Sequence, residues 1–179
     1  MSEVRRLESP VNKRISNPLV SVVVPTYNRQ SELRRCLDSL VRQTLGDFEV
    51  IVCDDGSTDN TSVVIDDYVS VLDVTYDYAE NFGGPARPRN RGIKLARAPY
   101  VAFLDSDDWW APAKLERSIS FLKAGADFAY CAPLRQRDPG RRHRCRVARD
   151  RDARGGRECR RDCGHRGHRR PPDRHQRPL

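Results

Sequence analysis

Short apolar runs recur along the first 130 residues and predict buried strands. The runs at 19–24, 48–53 and 100–104 are rich in β-branched and aromatic residues and are too short for ordinary helices. Apolar and polar positions alternate at 74–78, which is typical of a strand, and 127–131 predicts a fifth strand. Pro25 is expected to stop the first of these strands.

Amphipathic stretches separate the predicted strands. Apolar residues after Ser31 follow helical spacing, which predicts a helix capped by Ser31 and ended by Gly46. The positions that form this stripe are Leu33, Cys36, Leu37, Leu40 and Val41. Further helices are predicted from Ser57 or Thr58 to about residue 69, from near Pro88 to about residue 97, and over 112–122. Strands alternating with helices predict a three-layer α/β/α sandwich around a mainly parallel sheet.

The positive charge of the chain is confined to its C-terminal part. The formal net charge is +8, but residues 135–179 contain 17 Arg against five Asp and one Glu, a net +11 that leaves −3 for residues 1–134. This tail has no aromatic residue and predicts no secondary structure, so it is expected to be disordered or translated out of frame. The acidic remainder gives no reason to expect a specific nucleic-acid partner, although an Arg-tail nucleic-acid binder stays an alternative. The tail's irregular Cys and His spacing makes a zinc site a weak hypothesis.

Polar clusters follow three of the predicted strands. Because ligands of open α/β sheets bind at the carboxyl ends of strands, these clusters are expected to meet in one crevice. Three carboxylates within four residues suit Mg²⁺ or Mn²⁺, or else form a solvated acidic loop. An Asp-Asp-Gly-Ser sequence suits either a nucleoside or an ordinary turn with a helix cap. The clusters contain Pro25, Thr26 and Tyr27 after the first strand, Asp54 and Asp55 after the second, and Asp105, Asp107 and Asp108 after the fourth.

A glycine loop at 81–85 leads into a stretch that contains three Arg residues, including Arg89. Helix N-termini and Arg side chains both favour phosphate, but an ordinary loop with a basic helix would look the same. Neither G-x-G-x-x-G nor a P-loop is found, so a dinucleotide-binding or NTPase function loses its main support. A nucleotidyltransferase is disfavoured because its start motif is missing after the first strand.

Four segments in order resemble the family 2 glycosyltransferases, which have the GT-A fold. They are VVVPTYNR, VCDDGSTDNT, NFGGPARPRNRGI and VAFLDSDDWWAPAKLE, within about 19–131. The resemblance implies that Pro25, Thr26, Tyr27, Asp54 and Asp55 hold the nucleoside of a nucleotide-diphosphate sugar, with Arg89, Asn90 and Asp105 near the nucleotide or diphosphate. It also implies a divalent metal on Asp105 and Asp107, with Asp107 the principal ligand. Trp109 and Trp110 would line the sugar pocket or belong to the core.

The resemblance ends near residue 134, which predicts a domain at 18–134 between a polar extension at 1–17 and the tail at 135–179. The family implies inverting sugar transfer to a glycan or lipid-linked acceptor, but its acceptor-binding half and general base are not matched here. We therefore name no catalytic base and expect a truncated fold that binds donor without transferring sugar. Without a signal peptide or an apolar span, the expected location is the cytoplasm, with peripheral association at the inner face of the membrane. A non-catalytic sugar-nucleotide-binding fragment is the main alternative.

Overall fold

The computed structural model describes residues 3–5, 14–131 and 145–148, with side chains described for 14–129. The chain divides into two compact units, residues 1–120 and 121–179. No helix in these described ranges is long and apolar enough to cross a membrane. The elements in chain order are β1 (Glu3–Arg5), β2 (Val20–Thr26), α1 (Gln30–Val41), β3 (Phe48–Asp54), α2 (Thr61–Asp66), β4 (Val74–Tyr78), α3 (Ala86–Leu95), β5 (Tyr100–Phe103), α4 (Lys114–Lys123), β6 (Phe128–Cys131) and β7 (Cys145–Ala148).

A five-stranded sheet in the order β1-β4-β3-β2-β5 forms the first unit. The neighbours from β4 to β5 are parallel, and only β1 runs antiparallel, along β4. Every residue of β2 and β3 is buried, which requires cover on both faces of the sheet. The predicted α/β fold with a mainly parallel sheet and flanking helices is confirmed.

Helix α3 covers one face of this sheet through very close packing. A Cβ atom built on Gly92 would lie 2.3 Å from Cγ1 of Val23 and 3.1 Å from Sγ of Cys53, so only glycine lets the helix approach this closely. Leu95 and Ala96 extend the same contact onto the cluster formed by Val23, Ile51 and Cys53 in β2 and β3. Helix α1 buries the predicted stripe except for Val41, which is exposed at its C-terminal end.

A buried ionic network ties the loop after α3 to the strands. Glu49 in β3 is buried, and its carboxylate accepts hydrogen bonds from the Ser21 hydroxyl at 2.6 Å and from Nε of Arg97 at 2.7 Å. Arg97 also donates to Asp73 at 2.7 Å and to the carbonyl of Ile15 at 3.1 Å. Because Arg97 pairs with both Glu49 and Asp73, these two acidic side chains can be buried within the folded unit.

Both predicted helix caps are wrong, because each helix begins at a different residue and neither has a side-chain hydrogen bond at its N-cap. Helix α1 begins at Gln30, one residue before the expected cap Ser31, and Oδ2 of Asp59 accepts the Gln30 N–H at 3.2 Å. Helix α2 begins at Thr61 instead of after Ser57 or Thr58, since the Ser57 hydroxyl accepts a hydrogen bond from the backbone N–H of Asn28 in the loop after β2. Contacts between distant loops therefore determine where these helices start.

Strand predictions need three corrections. Strand β2 continues through Pro25 to Thr26, because the parallel register still pairs Pro25 with Cys53 of β3. Strands β1 and β7 were not predicted, and the expectation of no regular structure in the tail is wrong at 145–148. Strand β6 joins β7 in a separate antiparallel pair, not the main sheet. The rest of the predicted disordered or out-of-frame tail and most of the 1–17 extension lie outside the described residues.

Candidate functional site

The loops after β2 and β3 are joined by hydrogen bonds. Asn28 has a φ of 49°, in the left-handed region that Asn tolerates better than most residues. Its backbone N–H donates to the Ser57 hydroxyl at 2.8 Å, and its side-chain Oδ1 accepts the Thr58 N–H at 2.8 Å. The carboxyl ends of β2 and β3 therefore present one continuous surface, as the sequence predicted.

Asp54 is completely buried at the end of β3. Its Oδ2 accepts a hydrogen bond from the Tyr76 hydroxyl at 2.6 Å, and its Oδ1 accepts the Ser57 N–H at 2.8 Å. Burial, followed by the hydrogen bond to Asp54, raises the pKa of Tyr76, so the phenol stays protonated and remains a donor. In this arrangement Asp54 shapes the loop that follows β3.

Asp55 holds the glycine loop that precedes α3. Its Oδ2 accepts the backbone N–H groups of Phe82 at 3.1 Å and Gly83 at 3.3 Å, while Oδ1 is buried without a hydrogen-bond partner among the described residues. Gly56 has a φ of 85°, and a Cβ there would lie 2.6 Å from the backbone nitrogen of Asn81. The two loops thus lie against each other, leaving one carboxylate oxygen unsatisfied.

Arg91 in α3 is a contact residue that the sequence analysis missed. Its Nε donates to Asp77 at 2.5 Å and its guanidinium donates to the carbonyl of Asp54 at 2.6 Å. A terminal nitrogen of the same group lies 3.8 Å from the unsatisfied oxygen of Asp55. Asp77 at a polar position of the alternating strand 74–78 was the available signal, because a carboxylate that becomes buried requires a cationic partner.

The acidic cluster after β5 meets arginines from two other elements. Asp105 accepts a hydrogen bond from Arg89 of α3, and Asp107 forms an ion pair with Arg29, which precedes α1. The loops after β2 and β5 therefore meet, as the sequence predicted, and helix α3 joins them through Arg89. Within the described ranges no group of three or more acidic, His or Cys side chains is arranged to hold a metal ion.

The electrostatic influence of the cluster extends to its neighbours. Partial burial, and then the charges of Asp107 and Asp105, raise the pKa of Asp108. Burial raises the pKa of the Cys36 thiol in α1, and the same three carboxylates add to the effect. The donor chemistry fits a divalent ion, since carboxylate oxygens suit Mg²⁺ and Mn²⁺ and the two guanidinium groups occupy positions where positive charge is needed.

The remaining predicted site residues lie at the same edge of the sheet with different exposures. Thr26 is buried, and its hydroxyl has no hydrogen-bond partner in the described part of the chain. Pro25 is buried within β2, while Tyr27 just beyond it is 46% exposed. Asn90 is exposed on α3. Thr26 and Tyr27 thus offer a hydroxyl and an aromatic ring beside the convergent loops.

Trp109 and Trp110 contact cationic side chains. The Cζ atom of Arg35 in α1 lies 3.3 Å from the ring centroid of Trp109, and Nζ of Lys114 lies 3.7 Å from that of Trp110. The backbone N–H of Trp110 donates a hydrogen bond to the hydroxyl of Ser39 at 3.1 Å. The contacts with Arg35 and Ser39 fix the segment after the acidic cluster against α1.

Comparison with known proteins finds glycosyltransferases. The profile of the family described as glycosyl transferase family 2 matches residues 21–168. A UDP-Glc:alpha-D-GlcNAc-diphosphoundecaprenol beta-1,3-glucosyltransferase of Escherichia coli is 39% identical over 117 residues, which cover 63% of this chain and 44% of the relative.

Two solved structures share the fold. TarS 1–349 of S. aureus, in complex with UDP-GlcNAc, has a TM-score of 0.57 and 37% identity over 59% of this chain and 31% of that one. The mannosyltransferase PcManGT of Pyrobaculum calidifontis, in complex with GDP-Man and Mn²⁺, has a TM-score of 0.61 and 29% identity over 68% of this chain and 37% of that one. The matched part thus spans less than half of each of these three relatives. The match over residues 21–168, in agreement with the fold and the order of the four segments, means that this chain belongs to glycosyl transferase family 2.

Proposed function

We propose that this chain binds a nucleotide-diphosphate sugar together with Mg²⁺ or Mn²⁺ at the carboxyl edge of its sheet. The bound donor would serve inverting transfer of the sugar to a glycan or lipid-linked acceptor. The observation that carries the proposal is the convergence of three loops through the Arg29–Asp107 and Arg89–Asp105 ion pairs and the Asn28 hydrogen bonds.

The nucleoside would bind beside the loops after β2 and β3. Thr26 and Asp55 each carry a buried polar atom without a hydrogen-bond partner in the described ranges, and such atoms are rare unless a ligand or water completes them. Tyr27 adds an exposed aromatic ring next to Thr26. Asp54, fully bonded within the protein, would position these groups indirectly by fixing the loop that carries Asp55.

The diphosphate would lie between the arginines and the acidic cluster. Asp105 and Asp107 would hold the divalent ion, and Asp108 would add negative charge beside them. When bound, such an ion neutralises the charge that develops on a leaving diphosphate. Arg89 and the exposed Asn90 would supply donors to the phosphate oxygens, because guanidinium groups favour phosphate.

Two of the relatives support the kind of donor, and one supports the kind of acceptor. TarS has been solved with UDP-GlcNAc and PcManGT with GDP-Man and Mn²⁺, while the E. coli relative is named for UDP-Glc and a diphosphoundecaprenol-linked sugar. A lipid-linked acceptor would bring the reaction to a membrane surface.

Calorimetry with UDP, GDP and TDP, each with and without Mn²⁺, tests the proposal. At least one nucleotide should bind the wild-type chain more tightly with the ion, by about tenfold or more, which corresponds to roughly 1.4 kcal/mol. Asp107→Ala should abolish this difference because it removes a proposed metal ligand. Asp67→Ala is the matched control, since Asp67 is also an exposed aspartate paired with an arginine but lies on α2's C-terminal side.

Two results would count against the proposal in different ways. Equal affinity with and without Mn²⁺ would refute the metal role and leave nucleotide binding standing. Failure of all three nucleotides to bind a folded wild-type chain would refute donor binding itself.

A further inference from the structure

Arg29 combines a fixed backbone with an exposed side chain. Asn28 on one side is held by two hydrogen bonds to the loop after β3, and the Gln30 N–H on the other side is bound by Asp59. The Arg29 side chain is nevertheless 43% exposed, and the side chain of its partner Asp107 is 50% exposed. The guanidinium can therefore move without any change in the loop that carries it.

Arg89 forms a similar pair on the other side of the acidic cluster. Its guanidinium donates to Asp105, and its Nε is buried with no hydrogen-bond partner in the described part of the chain. The guanidinium of Arg89 is thus only partly satisfied by Asp105. Both proposed metal ligands carry an arginine counter-ion in this structure.

Exchange of these counter-ions should be easy. An ion pair between half-exposed side chains contributes little to stability, since water screens it and two long side chains lose freedom. A divalent cation that binds Asp105 and Asp107 would compete directly with both guanidinium groups. Once released, Arg29 would lie beside the cation with free donors, and guanidinium donors match phosphate oxygens in pairs.

We propose that Arg29 is a donor-binding residue that exchanges partners, pairing with Asp107 before the cation binds and with the diphosphate of the donor afterwards. The inference rests on the proposed function for the position of the cation and the diphosphate. It assigns Arg29 two opposite effects: the side chain weakens binding of the cation alone and strengthens binding of the nucleotide in the presence of the cation. A residue with a purely structural role would not produce this reversal of sign.

The test uses the full 179-residue chain and two separate titrations. Mn²⁺ alone is titrated and followed by the electron paramagnetic resonance of the free ion, and UDP and GDP are then titrated by calorimetry at saturating Mn²⁺. In Arg29→Ala, Mn²⁺ alone should bind about two- to fivefold more tightly, the size of a lost competing surface pair. The nucleotide should bind about tenfold more weakly, the size of a lost charged hydrogen bond. Arg29→Lys should keep part of both effects, because it retains the charge but not the paired donors.

Arg34→Ala is the matched control. Arg34 lies five residues further along the chain, in α1, and pairs with Asp67 at similar exposure, 48% and 55%, and no ion pair among the described residues joins it to the acidic cluster. It should change neither titration. Far-UV circular dichroism verifies that each variant is folded.

The outcomes separate the two proposals. If the wild-type chain binds nucleotide but folded Arg29→Ala leaves both affinities unchanged, or weakens both, the exchange is wrong and the proposed function stands. If the wild-type chain binds neither Mn²⁺ nor nucleotide, the proposed function fails and the exchange fails with it. Opposite changes in the two titrations support the exchange.

Discussion

Removal of one buried hydroxyl, in Tyr76→Phe, tests how the site is built. The Tyr76 hydroxyl lies 2.6 Å from Oδ2 of Asp54, and Asp54 is fully buried. Phenylalanine fills the same space, so the substitution removes the donor without opening a cavity. The oxygen left behind can reach no water, because burial excludes solvent from Asp54.

The expected cost follows from the charge and burial of the acceptor. A hydrogen bond to a charged group contributes about 1.5–3 kcal/mol, and an unsatisfied buried acceptor brings the value towards the upper end of that range. Oδ1 keeps its bond from the Ser57 N–H, so Asp54 does not lose all of its partners. We expect Tyr76→Phe to lower the free energy of unfolding by about 2–3 kcal/mol.

The chain contains a matched control in Tyr68→Phe. Tyr68 is as buried as Tyr76, and its hydroxyl lies 2.7 Å from Oδ1 of Asp38. Asp38 is only half-buried, so water can replace the lost donor. The same substitution should therefore cost only about 0.5–1 kcal/mol.

Urea denaturation measures both variants. The midpoint should shift in proportion to the lost free energy at an unchanged slope, and the shift should be clearly larger for Tyr76→Phe. Equal losses in the two variants would refute the argument that burial of the acceptor sets the cost. If Asp54 acts by fixing the loop that carries Asp55, nucleotide affinity should fall in Tyr76→Phe and not in Tyr68→Phe.

Two further predictions concern the core. Gly92→Ala places a methyl group 2.3 Å from Val23. Although alanine has the higher helix propensity, the substitution should still lower the free energy of unfolding by about 1–2 kcal/mol in the same urea assay. Gly46→Ala is the control, because the space around Gly46 is open and the substitution should not destabilise the fold. An undiminished midpoint for Gly92→Ala would mean that α3 can move away from the sheet. Burial raises the pKa of Cys53 to about 12, and burial also raises the pKa of Cys36. Both thiols should therefore resist alkylation by iodoacetamide at pH 8 until urea unfolds the chain, and mass spectrometry measures the labelling. Labelling of either thiol in the folded chain would contradict their burial.

The sequence predicted the sheet and the location of the site because both depend on local patterns. Apolar runs identify β2, β3 and β5, and parallel strands place their carboxyl ends at one edge. Asp107 after β5 could therefore be expected near the loop after β2, and its ion pair with Arg29 bears this out. The assignment of individual residues to nucleoside or metal stays a prediction.

What the sequence could not predict depends on strand register or on contacts between distant loops. Tyr76 reaches Asp54 only because β4 pairs with β3 in a particular register, which opposes Asp54 to Tyr78. Strands β1 and β7 pair through backbone groups, which every residue carries, so their amino-acid sequences contain no pattern that predicts these strands. The start of α1 depends on Asp59, which lies 29 residues beyond Gln30.

The balance of charge at the site explains why cation and nucleotide should bind together. Six carboxylates lie at or near this edge of the sheet, and within the described residues three guanidinium groups are shown paired with them, which leaves a surplus of three carboxylates over their arginine partners. Because a diphosphate is itself anionic, this surplus would repel it, and two of the three arginines are already paired with the very carboxylates that would hold the cation. A divalent ion bound as proposed would reduce the surplus and would also free those two arginines for the phosphates, so it would act on affinity twice. Without the ion, nucleotide affinity should therefore fall as the salt concentration is lowered, because less salt screens the repulsion less. With the ion, nucleotide affinity should depend on the salt concentration far less, or in the opposite direction. The groups concerned are Asp54, Asp55, Asp77, Asp105, Asp107 and Asp108 against Arg29, Arg89 and Arg91.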